Sequence, residues 1–364
     1  PGGGVGTGND VINNNGAAND IYGDSDAGDG FGNDIITNNG SAVDIMGDSY
    51  DGTGFGNDIV TNNGTANAMS GDSNDGDGAG DDVVVNNGTL IENILGDSNF
   101  GDGSGNDSLT NNGSADGIFG DSDTGLGSGS DSIVNNGIIA GNVSGDSNTA
   151  IGTGNDTITN NGTINGSLYG DSVAVTGTGS DNITNNGTVA GNVEAQGGND
   201  TVVLGENGNV GGNINAADGD DFVSLAGGQL GGVADGGAGF DTLEFALSTS
   251  DETELQSWAD QILAANPSGG TITLGSVTYT WTNFEELVQI LSQIAINGNN
   301  GLLQVFCRFN GNLDVYRIIN ANDGVFVFAL TPTQIATALA QNTNVVIGSD
   351  GELQLWALES GILQ

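Results

Sequence analysis

Branched aliphatic residues recur along the first two thirds of the chain at intervals of about 24 residues. They lie in segments of four to eight residues, bounded on both sides by glycine and asparagine. Short alternating segments between turn residues are typical of β-strands, whose side chains point in turn to opposite faces. The first apolar column comprises Ile12, Ile36, Val60, Val84, Leu109, Ile133, Ile158, Ile183, Val202, Val223 and Leu243. The second comprises Ile21, Ile45, Met69, Ile94, Ile118, Val143 and Leu168.

The complete repeat reads G-x-G-[N/S/D]-D-x-[I/V/L]-x-N-N-G, then an apolar stretch, then G-D-S, and it occurs eight times in the first 190 residues. A repeat of this length predicts a solenoid, because one copy cannot bury its apolar face until it stacks on its neighbours. We therefore predict an all-β fold, a parallel β-helix or β-roll with coils of 24–25 residues. Each coil should rise by about 4.8 Å.

Aspartates recur with the same period, so stacking must align them in columns. Two unit charges about 4.8 Å apart repel by roughly 1 kcal/mol in water and by several kcal/mol at an effective dielectric constant near 20. An ordered column therefore needs cations, and we predict metal ligands in both columns. The G-x-G-x-D column is Asp10, Asp34, Asp58, Asp82, Asp107, Asp131, Asp156, Asp181, Asp200, Asp221 and Asp241. The G-D-S column is Asp24, Asp48, Asp72, Asp97, Asp121, Asp146 and Asp171.

The two halves of the repeat differ in how strictly their length is kept. Ten residues always separate a G-D-S aspartate from the next G-x-G-x-D aspartate, as from Asp24 to Asp34. The other half of the coil varies between fourteen and fifteen residues. A loop that varies in sequence but not in length is held in place, and a metal site is the interpretation we favour.

The composition of the chain limits which partners and which metal ions it can bind. The chain has 47 acidic residues against two arginines, Arg308 and Arg317, and a net charge of −45. This charge excludes nucleic acid and anionic membranes as partners, since both are bound through Lys and Arg. The chain contains no run of 18 apolar residues, so the sequence predicts no membrane span. With no His and one Cys, the available ligands are hard oxygens, which favour Ca²⁺ over zinc, copper or iron.

The sequence also resembles a known family. Residues 236–244, Gly-Gly-Ala-Gly-Phe-Asp-Thr-Leu-Glu, match the nonapeptide G-G-x-G-x-D-x-U-x of RTX (repeats-in-toxin) proteins, and residues 30–36 match all but its first glycine. The resemblance covers roughly residues 1–245. It implies a β-roll or β-helix that folds on binding calcium outside the cell, with each G-x-G-x-D aspartate as a ligand.

The chain departs from the RTX pattern in its coil length. RTX arrays run in nine-residue half-turns with ions on both edges, whereas here a G-D-S loop and an N-N-G turn replace the second nonapeptide. We therefore expect one ion-bearing edge, shared between the G-D-S and G-x-G-N-D steps. Acidic residues become fewer in the later loops, so we expect the coils of Asp146 and Asp171 to bind weakly or not at all.

The N-N-G steps predict a stack of amides, because the first asparagine recurs at one position of the coil and Asn-Gly turns readily. Six steps continue to Ser or Thr, as in Asn63-Gly64-Thr65, and glycan attachment is the alternative interpretation. The stacked residues are Asn14, Asn38, Asn62, Asn86, Asn111, Asn135, Asn160 and Asn185.

The composition changes near residue 245, which predicts a solenoid over residues 1–245, a capping segment over 246–296 and a small α+β domain over 297–364. In the capping segment we predict a helix beginning at Ser250, a hairpin around Gly275 and a second helix beginning at Asn283. In the last domain we predict two hairpins, with strands over 302–309, 313–319, 345–347 and 353–358, and a helix over 331–340.

No catalytic constellation is evident, because the first 300 residues lack His, Lys and Arg, and we expect a protein that is not an enzyme. A glycosidase using carboxylates alone is the enzymatic alternative. The leading expectation is an extracellular structural rod. Its solenoid is open at residue 1 and extended at the other end, so it would assemble head-to-tail into a homo-polymer. The alternatives are an adhesin stalk binding sugars or surfaces and, less favoured, an ice-binding protein.

Overall fold

The fold is that of a parallel β-solenoid, as the repeat predicts. In a computed structural model, residues 6–24, 27–174, 177–249 and 252–293 are described, together with the backbone of four later strands. The chain winds through about 10 turns of about 24 residues, and each turn contributes strands to several parallel sheets. Every pairing between successive turns is in register, so equivalent residues of the repeat stack directly on one another.

The longest sheet runs along the whole solenoid and has fourteen strands among the described residues. Its strands contain the first apolar column and the N-N step. The eleven that belong to the repeat are Val11–Asn14, Ile35–Asn38, Ile59–Asn62, Val83–Asn86, Ser108–Asn111, Ser132–Asn135, Thr157–Asn160, Asn182–Asn185, Thr201–Leu204, Phe222–Leu225 and Thr242–Thr249.

Two further sheets form the other walls, and a short one lies beside the acidic loop. One wall contains Ile21–Tyr22, Asp44–Met46, Ala68–Ser70, Ile94–Leu95, Ile118–Phe119, Val143–Ser144, Leu168–Tyr169, Val193–Glu194, Ile214–Asn215 and Val233–Asp235. The other contains Thr65–Ala66, Thr89–Leu90, Ser114–Ala115, Ile138–Ile139, Thr163–Ile164, Thr188–Val189, Asn209–Val210 and Gln229–Leu230. The short sheet is Gly30–Phe31, Gly54–Phe55 and Gly78–Ala79.

Both predicted apolar columns lie in the core. Ile36, Val84 and Leu109 of the first column and Ile45 and Ile94 of the second are fully buried. A solenoid of this width has room for only a few side chains per coil, so each column is one residue thick. The interior is therefore a stack of thin layers, and any polar residue that faces inward must find its partner in the next layer.

Asparagine side chains form such partnerships, and the predicted amide ladder is confirmed. Asn62 Nδ2 donates to Asn86 Oδ1 at 2.9 Å, and Asn86 Nδ2 donates to Asn111 Oδ1 at 2.9 Å. The second asparagine of each step forms an exposed ladder in the opposite direction, since Asn87 Nδ2 donates to the preceding Asn63 at 2.9 Å. The sequon asparagines belong to this outer ladder.

The solenoid changes character after residue 195. The interval between successive column aspartates shortens to 19 residues between Asp181 and Asp200, then to 21 and 20. The inward asparagine position, last occupied by Asn185, passes to Leu204 and Leu225, which are fully buried. The core of these shorter coils is therefore apolar where that of the earlier coils contains amides.

A helix and a hairpin follow the repeats. The helix Glu252–Leu263 and the antiparallel strands Gly269–Leu274 and Val277–Thr282 agree with the prediction. Tyr279 and Trp281 are buried against Phe245, with ring centroids 5.9 and 5.7 Å from it. Val277–Thr282 also pairs in parallel with Val233–Asp235, which joins the hairpin to one wall of the solenoid.

The predicted second helix is wrong, because this segment is the strand Glu286–Gln293. It pairs in parallel with Thr242–Thr249 and places Leu287 beside Leu243, so it forms one more rung of the long sheet. The apolar spacing of residues 287–291 suits a helix or a strand in isolation. The open edge of the sheet decides, because pairing satisfies its backbone groups.

The remaining predicted strands are present. Leu302–Phe309 pairs antiparallel with Asn312–Ile319, and Thr343–Ile347 with Leu353–Ala357. The predicted helix over 331–340 lies outside the described residues, and the three domain boundaries stay predictions. Within the described part of the chain, no helix has both the length and the apolar character needed to cross a membrane.

Replacing Asn86 by Ala should lower the free energy of unfolding by about 1–3 kcal/mol, because it removes the ladder hydrogen bonds that Asn86 makes with the buried amides of Asn62 and Asn111. Denaturant unfolding measures this loss. The matched control is Asn87→Ala in the exposed ladder, where water can replace the lost partners and the loss should be smaller. Equal losses at the two positions would contradict a stabilising role for the buried ladder.

Candidate metal centre

The two predicted columns of aspartates meet in the interior of the solenoid. A G-D-S aspartate lies between two consecutive G-x-G-x-D aspartates, with one oxygen of each within 4.8 Å of the others. Six such groups occur among the described residues. Five of them are Asp10 with Asp24 and Asp34, Asp34 with Asp48 and Asp58, Asp58 with Asp72 and Asp82, Asp82 with Asp97 and Asp107, and Asp107 with Asp121 and Asp131.

Serine holds the ten-residue loop that joins the columns. Ser49 Oγ accepts a hydrogen bond from the backbone N–H of Gly52 at 2.9 Å and donates to the carbonyl of Gly28 in the preceding coil at 2.8 Å. Ser122 makes the same pair of bonds with Gly125 and Gly101. These serine hydrogen bonds are one reason why the loop keeps a constant length. The carboxylates that the loop brings together are another.

Glycine allows the carboxylates to approach the backbone. A Cβ added to Gly47 would overlap Oδ2 of Asp58 and the carbonyl oxygen of Gly71. A Cβ added to Gly54 would lie 2.7 Å from the Cβ of Asp72. The glycines of G-D-S and of G-x-G thus enclose the two columns on either side, and a larger residue at these positions would displace the carboxylates.

The G-x-G-x-D column is also a hydrogen-bonded ladder. The backbone N–H of each aspartate donates to Oδ1 of the equivalent aspartate in the next coil, as from Asp34 to Asp58 at 2.6 Å and from Asp82 to Asp107 at 2.8 Å. The ladder continues without a break to Asp241. It uses only Oδ1 and leaves Oδ2 of each residue for another partner.

Many buried carboxylate oxygens have no hydrogen-bond partner among the described residues. In the middle coils these are Oδ2 of the G-x-G-x-D aspartate and both oxygens of the G-D-S aspartate, as in Asp72. Asp72 is 0 % exposed, and Asp58 and Asp82 beside it are each 1 % exposed. Burying ionised groups without partners is very costly. The first 300 residues contain no Lys, Arg or His, so a bound cation or a proton must neutralise them.

The pKa values of these aspartates reflect the same cost of burial. Burial, followed by repulsion from neighbouring carboxylates, raises the pKa of Asp58 from 3.8 to about 8. Burial also raises the pKa of Asp48 to about 7, with Asp24 as the next cause. In the central coils the pKa of Asp72 and that of Asp97 lie well above the ordinary value for the same reason. At neutral pH the ionised columns are therefore unstable without a cation.

These donor atoms fit a hard divalent cation. Each middle coil offers carboxylate oxygens that are buried, anionic and unpartnered. Ca²⁺ accepts six to eight oxygen ligands in flexible geometry, whereas zinc and copper sites use His or Cys. The chain therefore supplies the ligand chemistry of a calcium site.

The predicted ligands fall into three sets. Asp10 to Asp131 of both columns form the groups named above. Asp146 and Asp171 are buried, but each accepts a backbone N–H, from Gly154 and Gly179, and keeps a single unpartnered oxygen. The third set, Asp156, Asp181, Asp200, Asp221 and Asp241, continues the first column with a buried, unpartnered Oδ2 in each residue. The ligand role of all eighteen residues stays a prediction.

One acidic residue of the ladder is missing from the predicted set. Glu285 Oε2 accepts the backbone N–H of Asp241 at 2.8 Å, so Glu285 takes the position of the next column aspartate. The step from Glu285 to Leu287 repeats the aspartate-to-aliphatic spacing of the coils, and this signal was available in the sequence. Assigning the segment to a helix concealed it.

In the comparisons with known proteins, no family model, no curated protein and no solved structure matches the chain. The parallel solenoid, its coils of about 24 residues and its stacked aspartates are consistent with an RTX-like repeat fold. The stacked aspartates form repeated clusters that could hold metal ions. The likeness to RTX proteins depends on the repeat pattern alone.

Without divalent cations, the free energy of unfolding should fall as the pH rises. The pKa of Asp58 is raised from 3.8 to about 8 in the folded state, so folding binds protons. The stabilisation is complete below the unfolded pKa and is lost as the pH passes through the folded pKa. Chemical unfolding in chelator at pH 5, 7 and 9 measures the decline, which should be shallower in Asp58→Asn. Stability that is constant or rises with pH would contradict it.

Proposed function

We propose that this protein is a structural β-solenoid rod whose interior aspartate columns bind Ca²⁺. The observation that supports it best is the set of buried carboxylate oxygens without partners, in a region of the chain that has no basic residue. Cations at these positions neutralise the columns and join consecutive coils through shared ligands. The rod is rigid when they are bound and unstable when they are removed.

Calcium suits these positions better than magnesium. Mg²⁺ demands near-octahedral geometry and gives up water reluctantly, whereas Ca²⁺ adapts to six to eight oxygens. Groups such as that of Asp58, Asp72 and Asp82 are buried, and their ligands are fixed by glycine-lined backbone. They require a cation that exchanges most of its water for protein oxygens. An extracellular location, where calcium is abundant, is part of the proposal.

A structural role accounts for the carboxylates better than catalysis. The described acidic groups of the interior repeat from coil to coil, whereas an active site is normally a break in such a pattern. The proposal therefore assigns no enzymatic activity to the chain. The charge of −45 argues against nucleic acid as a partner.

Head-to-tail assembly into a fibre is the form of rod we favour. The strands of the repeat all pair in parallel along the long sheet, so the two ends of such a rod present unlike surfaces. A contact between unlike ends does not close on itself and builds filaments. Electron microscopy with millimolar calcium, and again after chelation, tests this. Fibres that appear with calcium and disperse without it support assembly, whereas separate rods contradict it.

An adhesin stalk is the second candidate, and one surface favours it. Phe31 and Phe55 are about two fifths exposed and stack with ring centroids 5.4 Å apart. Ile35 and Ile59 of the long sheet form a second exposed apolar column. Exposed apolar columns of this kind could contact a surface or a sugar. The sequon asparagines of the outer ladder allow glycan attachment, which mass spectrometry of the native protein would detect.

Replacing Asp72 by Asn should change stability in opposite directions with and without calcium. In chelator it removes one buried negative charge beside Asp58 and Asp82, so the free energy of unfolding rises. In calcium it weakens a binding site, so the free energy falls by about 2–3 kcal/mol if calcium is near 100 times its dissociation constant. Thermal or chemical unfolding in both buffers measures the two effects.

The control for this experiment is Asp51→Asn, which removes the same charge from an exposed loop position. Its effect should be small in both buffers. If Asp72→Asn lowers stability equally in calcium and in chelator, its carboxylate is not a cation ligand and the proposed function fails.

A further inference from the structure

Consecutive aspartate groups share ligands. Asp34 belongs to the group of Asp24 and also to that of Asp48, and Asp58 belongs to the groups of Asp48 and Asp72. Each G-x-G-x-D aspartate therefore lies between two neighbouring groups. If each group holds a cation, the cations form one continuous file along the solenoid axis, bridged by these shared carboxylates.

The charge of the two aspartate columns limits the number of cations in this file. From Asp10 to Asp181 the G-x-G-x-D column has eight carboxylates, and the G-D-S column from Asp24 to Asp171 has seven. Groups of three or more carboxylates number six among the described residues, so one divalent cation in each brings twelve positive charges against fifteen negative ones. Buried charges are tolerated only when they are balanced, and these cations neutralise most of the charge of the two columns.

Gln196 occupies the position at which the next G-D-S aspartate would lie. Leu168 pairs with Val193 and Tyr169 with Glu194, so two residues further along Gln196 follows Asp171 in the column. Its side chain forms hydrogen bonds with backbone groups in the loop of the preceding coil. Oε1 accepts the backbone N–H groups of Ser172 at 2.9 Å and Gly177 at 3.2 Å, and Nε2 donates to the carbonyl of Ser172.

Beyond Gln196 the column contains no carboxylate. The isolated bridges from Gly197 to Asp218 and from Asp218 to Ala238 place Ala217 and Gly237 at the equivalent position of the next two coils. Asp200, Asp221 and Asp241 thus lack the second acidic partner that the earlier coils supply. The core of the same coils is apolar, with Leu204 and Leu225 where the earlier coils have asparagine.

We propose that Gln196 is the built end of the cation file, which lies within the coils between Asp10 and Asp181 and does not enter the shorter coils. This inference rests on the proposed function, since it presupposes that the columns bind calcium. Gln196 is a positioning residue. Its neutral amide makes the hydrogen bonds that close the last loop, where an aspartate would have added another site.

Gln196→Asp tests the stop directly. The residue has φ = 80°, a left-handed conformation that Asp and Asn adopt more readily than most residues. Oδ2 of Asp181 and Oδ2 of Asp200 are buried and without a partner on either side. A carboxylate at position 196 should therefore complete one further group of three. Gln196→Asn is the matched neutral control, with the same size as aspartate.

The measurement is the amount of calcium retained per chain after gel filtration into calcium-free buffer, by elemental analysis. We expect equal amounts for the wild type and for Gln196→Asn, and one ion more per chain for Gln196→Asp. A wild type that retains calcium, with no increase in Gln196→Asp, overturns the stop but leaves calcium binding intact. A wild type that loses one ion in Asp221→Asn also overturns it, because the file would then enter the shorter coils. A wild type that retains none overturns the proposed function itself.

Discussion

The burial of two aspartate columns is the constraint on which the rest of the solenoid depends. Like charges repeat at the spacing of one coil, inside a core that offers no basic side chain and few hydrogen-bond donors. In a medium of low dielectric constant this repulsion and the loss of hydration exceed what a thin apolar core can offset. The coils are therefore stable only with a neutralising partner, and oxygen ligands of this kind select a hard divalent cation.

The remaining features of the repeat hold the columns in place. Glycines on both sides allow the carboxylates to lie against the backbone, and serine fixes the loop between them. The two amide ladders run in opposite directions, one buried and one exposed, and join the coils up to Asn185 and Asn186 through bonds that carry no net charge. These contacts help to set the positions of the carboxylates, which are therefore already ordered by the stacking.

The solenoid has two parts that differ in what stabilises them. Up to residue 195 the interior contains acidic and amide columns beside a narrow apolar core. After Gln196 the coils are shorter, leucine replaces asparagine, and Tyr279 and Trp281 pack on Phe245 near the end of the repeats. The second part depends mainly on apolar burial, whereas the first depends on neutralisation of its buried carboxylates.

The sequence alone determined the period, the strand positions, the inward apolar columns and the alignment of the aspartates, because a regular repeat forces equivalent residues to stack. It did not determine that the aspartates are buried, since this depends on how the ten-residue loop folds back over the coil. It also could not separate helix from strand at Glu286–Gln293, where a short apolar run suits both and the open sheet edge decides. The direction of each amide ladder, the loop bonds of serine and the closing role of Gln196 depend on contacts between residues some 20 positions apart or more, which only the tertiary structure brings together.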